Sequence, residues 1–365
     1  VATGFNGIYD MQEMTTNICK TAQKGLIGSL EDTRDSNVYT VAKLDDDNCW
    51  MTRNLSLALW DEENNTPITL TPEDSNVKED WVSTTGKSEV WNDSSCANTP
   101  NSADCNIIKY YNPENSGKSQ DPLMGHLYTW NAAVVGTGSE IEQVGQNAGQ
   151  DICPKGWELP TGGNGGQYQQ LTSAINAPND ATGSTKLQSS PYDFPNPEAV
   201  LNIWNGILGE NYEYWSRTND TEGTLGAYTL LLSSSSVLPR DTSFRSRGRM
   251  LRCIAKDDDT RTLNDITTMQ EVTPKICENT PQYTVNQKEY TLTDARDGKT
   301  YTVAKLDDNK CWMTQTLALA LWDEEKNQAI TLTPDDSDIR ANWQSPTGPS
   351  AIWPETDASS CEAST

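Results

Sequence analysis

Cysteine is the residue type in this chain whose number and spacing most clearly predict covalent chemistry. Six of the nine cysteines fall within residues 1–258, and no two of them form a CxxC pair. An even number of cysteines in this arrangement favours disulfide bonds made in an oxidising compartment over a zinc–thiolate site. Composition leaves the pairing open. We expect the pairs Cys19–Cys49, Cys96–Cys105, Cys153–Cys253 and, in the rest of the chain, Cys277–Cys311.

A second group of residues with recognisable chemistry is the arginine cluster between Arg240 and Arg252, the only basic cluster in a chain with a formal net charge of −25. If its centre is a β-strand, Arg245, Arg247 and Arg249 share one face. Guanidinium groups recognise carboxylates and acidic glycans, which makes these residues candidate ligand contacts. The alternative that we favour is ion pairing with the chain's own carboxylates or with a neighbouring unit.

Aromatic residues are unusually distributed, with 12 Trp and 13 Tyr against 3 Phe. Tryptophans in polar, loop-like stretches are candidate contacts for a sugar or a protein, because their rings are both apolar and able to donate a hydrogen bond. Packing beneath long loops is the open alternative. The candidates are Trp60, Trp81, Trp91 and Trp204.

The sequence gives weaker indications of a catalytic site or a metal site. Asp45, Asp46 and Asp47 could ligate calcium, but the matching stretch near the other end of the chain contains Lys310, so a solvated turn is the favoured interpretation. The only histidine, His126, has no adjacent nucleophile or carboxylate in the sequence. We therefore predict no cofactor and no enzymatic activity, with an extracellular enzyme as the least favoured of three alternatives.

The chain contains a sequence repeat, which predicts the structural elements that position these residues. Tyr39–Thr52 reads YTVAKLDDDNCWMT, and Tyr301–Thr314 reads YTVAKLDDNKCWMT. Upstream, Met11–Cys19 matches Met269–Cys277. Self-similarity of this length predicts repeated structural units. We expect residues 1–258 to form one complete unit and residues 259–365 to be the N-terminal part of a second, truncated copy.

Local patterns predict an α+β fold with short antiparallel strands, few helices and long loops. A β-hairpin is expected at Thr291–Leu306 around Asp297-Gly298, and helices are expected at Thr129–Val135 and Gly165–Asn176. The remaining expected strands are Ser36–Leu44, Glu213–Thr218, Gly226–Ser234 and Gly248–Asp257.

An ordered set of motifs gives a more specific expectation. The motifs are DTRDSNVYTVAKL…CWMTRNL, GHLYTW, ICPKGWELPTGG, YWSRT, AYTLLLSSSSV and LRCIAKD. Together they resemble the Fibrobacter succinogenes major paralogous domain family. The resemblance implies a C-type-lectin-like fold, related to the formylglycine-generating enzymes, in an exported, often tandem surface domain of bacteria. It also implies that Cys153 and Cys253 form the fold's terminal disulfide, whereas Cys19 and Cys49 belong to a divergent branch.

Charge and repetition together predict the partners. The acidic chain is a poor ligand for nucleic acid or an anionic membrane surface, and no apolar run is long enough for a membrane span. We expect neighbouring copies of the unit as partners, with host-cell surfaces or glycans as further candidates. The residues expected at unit–unit contacts are Phe5, Ile8, Met11, Leu263, Ile266 and Met269. The function that fits is an extracellular, cell-surface structural or adhesive protein forming a filament, stalk or coat. A multivalent carbohydrate- or protein-binding adhesin is the alternative.

Overall fold

The structure is a computed structural model, and it divides the chain into two compact units, Val1–Asp258 and Asp259–Thr365. It describes residues 4–89, 106–113, 124–141, 143–194, 211–220, 225–257, 261–284, 289–308, 310–333, 336–337, 339, 342–346 and 348–349. Within these ranges, small antiparallel sheets and loops predominate over helices, as the sequence predicted.

The first unit is organised around a sheet with the strand order β1-β2-β3-β14-β10. A second sheet has the order β11-β12-β13, and three strand pairs, β4-β5, β6-β7 and β8-β9, lie in the loops. The strands are β1 Ile27–Glu31, β2 Val38–Lys43, β3 Cys49–Met51, β4 Trp60–Asp61, β5 Thr66–Pro67, β6 Thr69–Leu70, β7 Trp81–Val82, β8 Tyr110–Tyr111, β9 Leu127–Tyr128, β10 Trp157–Glu158, β11 Asn211–Asn219, β12 Gly226–Ser233, β13 Val237–Phe244 and β14 Ile254–Ala255.

The described α-helices are short in both units, and four of the five begin after a residue whose side chain caps them. The helices are α1 Thr16–Thr21, α2 Trp130–Ala133, α3 Gln167–Ala174, α4 Ala181–Gln188 and, in the second unit, α5 Pro274–Asn279. The Thr129 hydroxyl accepts a hydrogen bond from the backbone N–H of Ala132 at the start of α2, which satisfies a donor that the helix leaves unpaired. In α3, Tyr168 and Leu171 are buried, so the helical periodicity read from the sequence is confirmed.

The main sheet of the first unit separates two apolar cores. Alternate side chains of a strand point to opposite faces; accordingly Tyr39 and Val41 of β2 belong to one core, and Ala42 to the other. The first core contains both half-cystines of Cys153–Cys253. The second core lies between the main sheet, α3 and the three-stranded sheet.

The second unit repeats the beginning of this arrangement. Its strands are β15 Tyr290–Thr293, β16 Thr300–Lys305, β17 Cys311–Met313, β18 Trp322–Asp323, β19 Gln328–Ala329, β20 Thr331–Leu332 and β21 Trp343–Gln344. The first three form an antiparallel sheet in the order β15-β16-β17. The predicted hairpin is present, and Gly298 adopts φ +71° in its turn, a conformation that glycine adopts without steric cost.

Two local predictions need correction. Gly248–Asp257 was expected to be a strand, but only Ile254–Ala255 is one, because Arg249 and Met250 form isolated bridges to two other segments, at Tyr128 and Tyr214. The strand β13, Val237–Phe244, was not predicted. Its sequence contains Pro239 and Arg240 and does not alternate regularly between apolar and polar residues. Among the described residues, no helix has the length and apolar character needed to cross a membrane.

Candidate functional site

The arginine cluster does not form a surface site at the positions expected. Strand β13 ends at Phe244, so Arg245, Arg247 and Arg249 do not share the face of one strand. Arg245 and Arg249 are buried, and Arg247 is half-buried. Ligand recognition by the first two side chains is therefore excluded in this fold, since their guanidinium groups already have partners inside the unit.

Arg245 connects four segments of the first unit. Its guanidinium lies over the Trp130 ring, 4.1 Å from the centroid. Burial lowers the pKa of Arg245 to about 10, and the hydrogen bonds compensate part of the cost of burying the charge. Its acceptors include Gly138 O at 2.7 Å, Ile141 O at 2.6 Å, Asn219 Oδ1 at 2.8 Å and Gly226 O at 3.1 Å.

Arg249 and Arg252, the last member of the cluster, have comparable roles. Arg249 forms an ion pair with Glu213, with Nε 2.8 Å from Oε2, which matches the favoured expectation of pairing with the chain's own carboxylates. Arg252 donates to Asn54 Oδ1 at 2.7 Å and lies over the Phe194 ring, 3.9 Å from the centroid. The three buried arginines, Arg245, Arg249 and Arg252, therefore stabilise the fold.

Two of the four candidate tryptophans lie in the described part of the chain, and both pack against a core. Trp60 and Trp81 are half-buried and pack against the first core, and the indole N–H of Trp60 has no acceptor among the described residues. Trp91 and Trp204 lie outside the described residues. Packing beneath loops therefore accounts for the positions of Trp60 and Trp81.

The Asp45–Asp47 stretch forms a turn whose carboxylates have protein partners. Asp46 accepts a hydrogen bond from the Trp50 indole at 2.9 Å, and Asp47 pairs with Lys24 at 3.0 Å. Asp45 accepts a hydrogen bond from the Tyr192 hydroxyl. Within the described ranges, no group of three or more His, Cys, Asp or Glu residues is arranged to hold a metal ion.

His126 is a buried side chain of the first unit. Burial lowers its pKa to about 4, although a hydrogen bond to the carbonyl of Leu57 opposes this effect. The rings of Tyr110 and Tyr128 lie at centroid distances of 6.0 and 6.4 Å. At neutral pH the imidazole is thus uncharged and surrounded by aromatic rings.

The residues expected at unit–unit contacts lie in the cores of their own units. Phe5, Ile8 and Met11 are buried in the first core, because the segment that carries them folds back onto β1. Leu263 and Ile266 are buried in the core of the second unit, and Met269 packs against that core. Five of the six side chains are therefore buried within their own units and Met269 is half-buried; a role at unit–unit contacts stays a prediction.

A buried ion-pair network is the feature that sequence reasoning missed. In the first unit, Arg34 pairs with buried Asp32 at 2.7 Å, and Gln12 donates to the same carboxylate at 2.8 Å. Arg34 also donates to Ile152 O at 2.8 Å, which links the N-terminal hairpin to the later part of the unit. The sequence feature that could have indicated this network is Asp-x-Arg-Asp, which occurs in both copies. By itself, this motif indicates only a turn.

The second unit contains the same network. Arg296 pairs with Asp294 at 2.6 Å, and Gln270 donates to Asp294 at 3.0 Å. Hydrogen bonds from Arg296 hold the pKa of Asp294 at about 2, against the opposing effect of burial. The two stretches therefore share their buried polar contacts as well as their sequence.

Three of the expected disulfides are present. Cys19–Cys49 and Cys277–Cys311 each join a short helix to β3 or β17, with Cα atoms 5.7 Å apart. Cys153–Cys253 joins the segment before β10 to the residue before β14, with a Cα separation of 5.9 Å. The expected Cys96–Cys105 pair lies outside the described residues.

Comparisons of this chain with family models, curated proteins and solved structures give no match.

Proposed function

We propose that this chain is a non-enzymatic, extracellular structural or adhesive protein whose disulfide-linked units act in tandem on the cell surface. The observation that carries the proposal is the reuse, in two units, of one disulfide and one buried ion-pair network. Repetition of the buried contacts preserves a building unit, as expected where length or multivalency is the product. The proposal includes membership of the family that the motifs resemble, and its lectin-like fold.

The disulfides support the extracellular part of the proposal. Cys153–Cys253 closes a loop with a sequence separation of 100 residues, and disulfides of this kind persist in oxidising compartments. The side chains with recognisable chemistry support the non-enzymatic part, because Arg245 and Arg249 have structural partners and His126 is buried among aromatic rings.

A test of the proposal combines a location and a thiol measurement on the native protein. Antibodies raised against the purified chain should label intact cells by immunogold electron microscopy, without permeabilisation. Non-reducing peptide mapping of the native material should recover Cys19–Cys49, Cys153–Cys253 and Cys277–Cys311 as linked peptides. Labelling restricted to permeabilised cells, or free thiols at these positions, would contradict the proposal.

A further inference from the structure

Three side chains of the first unit, those of Lys256, Asn76 and Asp151, bring an amine, a carboxamide and a carboxyl group into contact. Lys256 Nζ donates a hydrogen bond to Asn76 Oδ1 at 3.1 Å, and Asn76 Nδ2 donates to Asp151 Oδ2 at 2.9 Å. We call these three residues the amide cluster. The Asn76 amide therefore has a potential nucleophile at its oxygen and a carboxyl group at its nitrogen.

Asp151 is the most deeply buried member of the amide cluster, with an exposed fraction of 0%. Its two carboxyl oxygens accept hydrogen bonds from the backbone N–H groups of Cys153 and Leu159, each at 3.0 Å. Burial nevertheless raises the pKa of Asp151, against the opposing effects of these hydrogen bonds and of the Arg217 charge. Because burial favours the protonated form of a carboxyl group, Asp151 is suited to donate a proton.

The backbone holds the amide cluster together. Asn76 N–H donates to Cys153 O at 2.9 Å, and Asp151 N–H donates to Asn76 O at 3.0 Å. Lys256 N–H donates to Gly156 O at 2.8 Å, and the Cys153 disulfide joins the same two parts of the chain. Reacting groups held in contact in this way behave as if each were present at a very high concentration.

The position of the carboxyl group is the feature that a simple lysine–asparagine hydrogen bond does not explain. Such a bond needs no buried acid beside it. Asp151 contacts Nδ2, the atom that must accept a proton when the amide bond is broken. The amide cluster therefore has the groups that an exchange of one amide for another requires.

We propose that Lys256 and Asn76 form an isopeptide bond in the folded first unit, with Asp151 as the acid that assists the reaction. Lys256 Nζ forms a bond to Cγ of Asn76, the bond between Cγ and Nδ2 breaks, and Nδ2 leaves as ammonia. The product is a secondary amide that links two side chains of one chain.

The protons of this reaction balance without an oxidant, a reductant or a cofactor. The Lys256 ammonium group first loses a proton to solvent, which its exposed position allows. The lone pair of the neutral amine then attacks Cγ, and Asp151 donates its proton to Nδ2. The proton that Nζ loses after the attack returns through solvent to the Asp151 carboxylate.

The bond would fasten the end of the first unit. Lys256 and Asn76 are 180 residues apart in the sequence, and the second unit begins at Asp259. Unlike the Cys153–Cys253 disulfide, an amide bond survives reducing agents. The inference depends only on the contacts of the amide cluster, so it stands or falls separately from the proposed function.

The experiment is mass spectrometry of the purified, complete 365-residue chain. The intact mass of the reduced protein should be lower than the sequence mass by one ammonia molecule. After reduction and digestion with trypsin, residues 54–78 should be recovered joined to residues 253–261, because trypsin does not cleave after a lysine whose amine is acylated. Fragmentation of this species should place the link between Asn76 and Lys256.

Matched variants assign the roles. Lys256→Arg keeps a positive charge and a hydrogen-bond donor at an exposed position, and it should show no loss of ammonia. Lys155→Arg, at another exposed lysine, should leave the loss unchanged. Asp151→Asn should form the bond about a hundredfold more slowly, as followed by intact mass at intervals after cell-free synthesis. Circular dichroism checks that each variant folds.

A wild-type mass with no loss of ammonia would overturn the inference, and so would a loss that persists in Lys256→Arg. Conversion of Asn76 to aspartate would also contradict it, because water rather than Lys256 would then have attacked the amide. Equal rates in wild type and a folded Asp151→Asn variant would overturn the role of Asp151 as the acid.

Discussion

The single histidine predicts a defined loss of stability in acid. His126 is buried, and its Nδ1 atom has no hydrogen-bond partner among the described residues. Burial lowers its pKa to about 4, below the ordinary value of 6.5. The unfolded chain therefore binds a proton at a higher pH than the folded chain does. The contribution of His126 to the free energy of unfolding is therefore complete above the pKa of the unfolded chain, 6.5. It is lost as the pH falls towards the folded pKa of about 4.

The two pKa values set the size of the effect. Their difference corresponds to about 3 kcal/mol in the free energy of unfolding, of which about 2 kcal/mol is lost on going from about pH 7.5 to about pH 5. Asp46 acts in the opposite direction, because burial raises its pKa to about 6. The contribution of His126 must therefore be taken as a difference between wild type and variant.

The matched variant is His126→Phe, which keeps an aromatic ring between Tyr110 and Tyr128. The carbonyl of Leu57 retains a donor in this variant, because the Tyr128 hydroxyl lies 2.7 Å away. Urea denaturation of both proteins should show that the wild type loses about 2 kcal/mol more than the variant between about pH 7.5 and about pH 5.

Proton NMR provides an independent readout, since the chain contains one histidine and its ring resonances need no assignment. The resonances of the folded protein should titrate with a midpoint near pH 4. A midpoint near 6.5, or equal pH dependence in wild type and His126→Phe, would refute the reasoning from burial.

Four further variants test other parts of the first unit by chemical denaturation. Replacing Cys153 and Cys253 with alanine should lower the free energy of unfolding by about 4–5 kcal/mol, given a sequence separation of 100 residues. Gly125→Ala should cost about 3 kcal/mol, because φ is +66° and the new Cβ would lie 2.4 Å from a backbone carbonyl oxygen. Gly145→Ala, at φ +77° with open space around it, should cost about 1 kcal/mol. Arg245→Lys should cost about 3 kcal/mol, because an ammonium group cannot reach all four acceptors.

Each of these expectations has an outcome that would contradict it. Equal costs at Gly125 and Gly145 would mean that the close approach of the backbone does not matter. A loss under about 1 kcal/mol for the cysteine pair would contradict the loop-closure argument. Arg247→Lys, at a half-buried position, is the control for Arg245→Lys and should cost under about 1 kcal/mol; equal costs would contradict the role assigned to Arg245.

Several features of the fold followed from the sequence because they depend on neighbours along the chain. The hairpin around Asp297-Gly298 forms because glycine fits the φ of +71° that the turn needs. The helix Gln167–Ala174 presents Tyr168 and Leu171 on one side because their spacing matches its period.

The candidate site was predicted less well, because the charge or polarity of a residue does not determine whether its side chain is buried in the folded unit. The arginines around Arg245 were identified as the basic cluster, but the burial of Arg245 depends on carbonyls of Gly138 and Ile141 and on that of Gly226 in β12, far apart in the sequence. Phe5 and Met11 were assigned to a contact surface, although the fold-back onto β1 places them in the core. Such depth follows only from packing between distant segments.

The sequence by itself determined that one stretch of residues occurs twice, with the same cysteine positions in both copies. Only the tertiary structure decided which side chains of each copy are buried. Trp50 and Trp312 have the same local hydrogen bond, but Trp50 is buried in the second core, where Tyr168 stacks on its ring, and Trp312 is half exposed. The physical reason is that hydrogen bonds within a turn are local, whereas burial of an apolar side chain requires surfaces contributed from far along the chain.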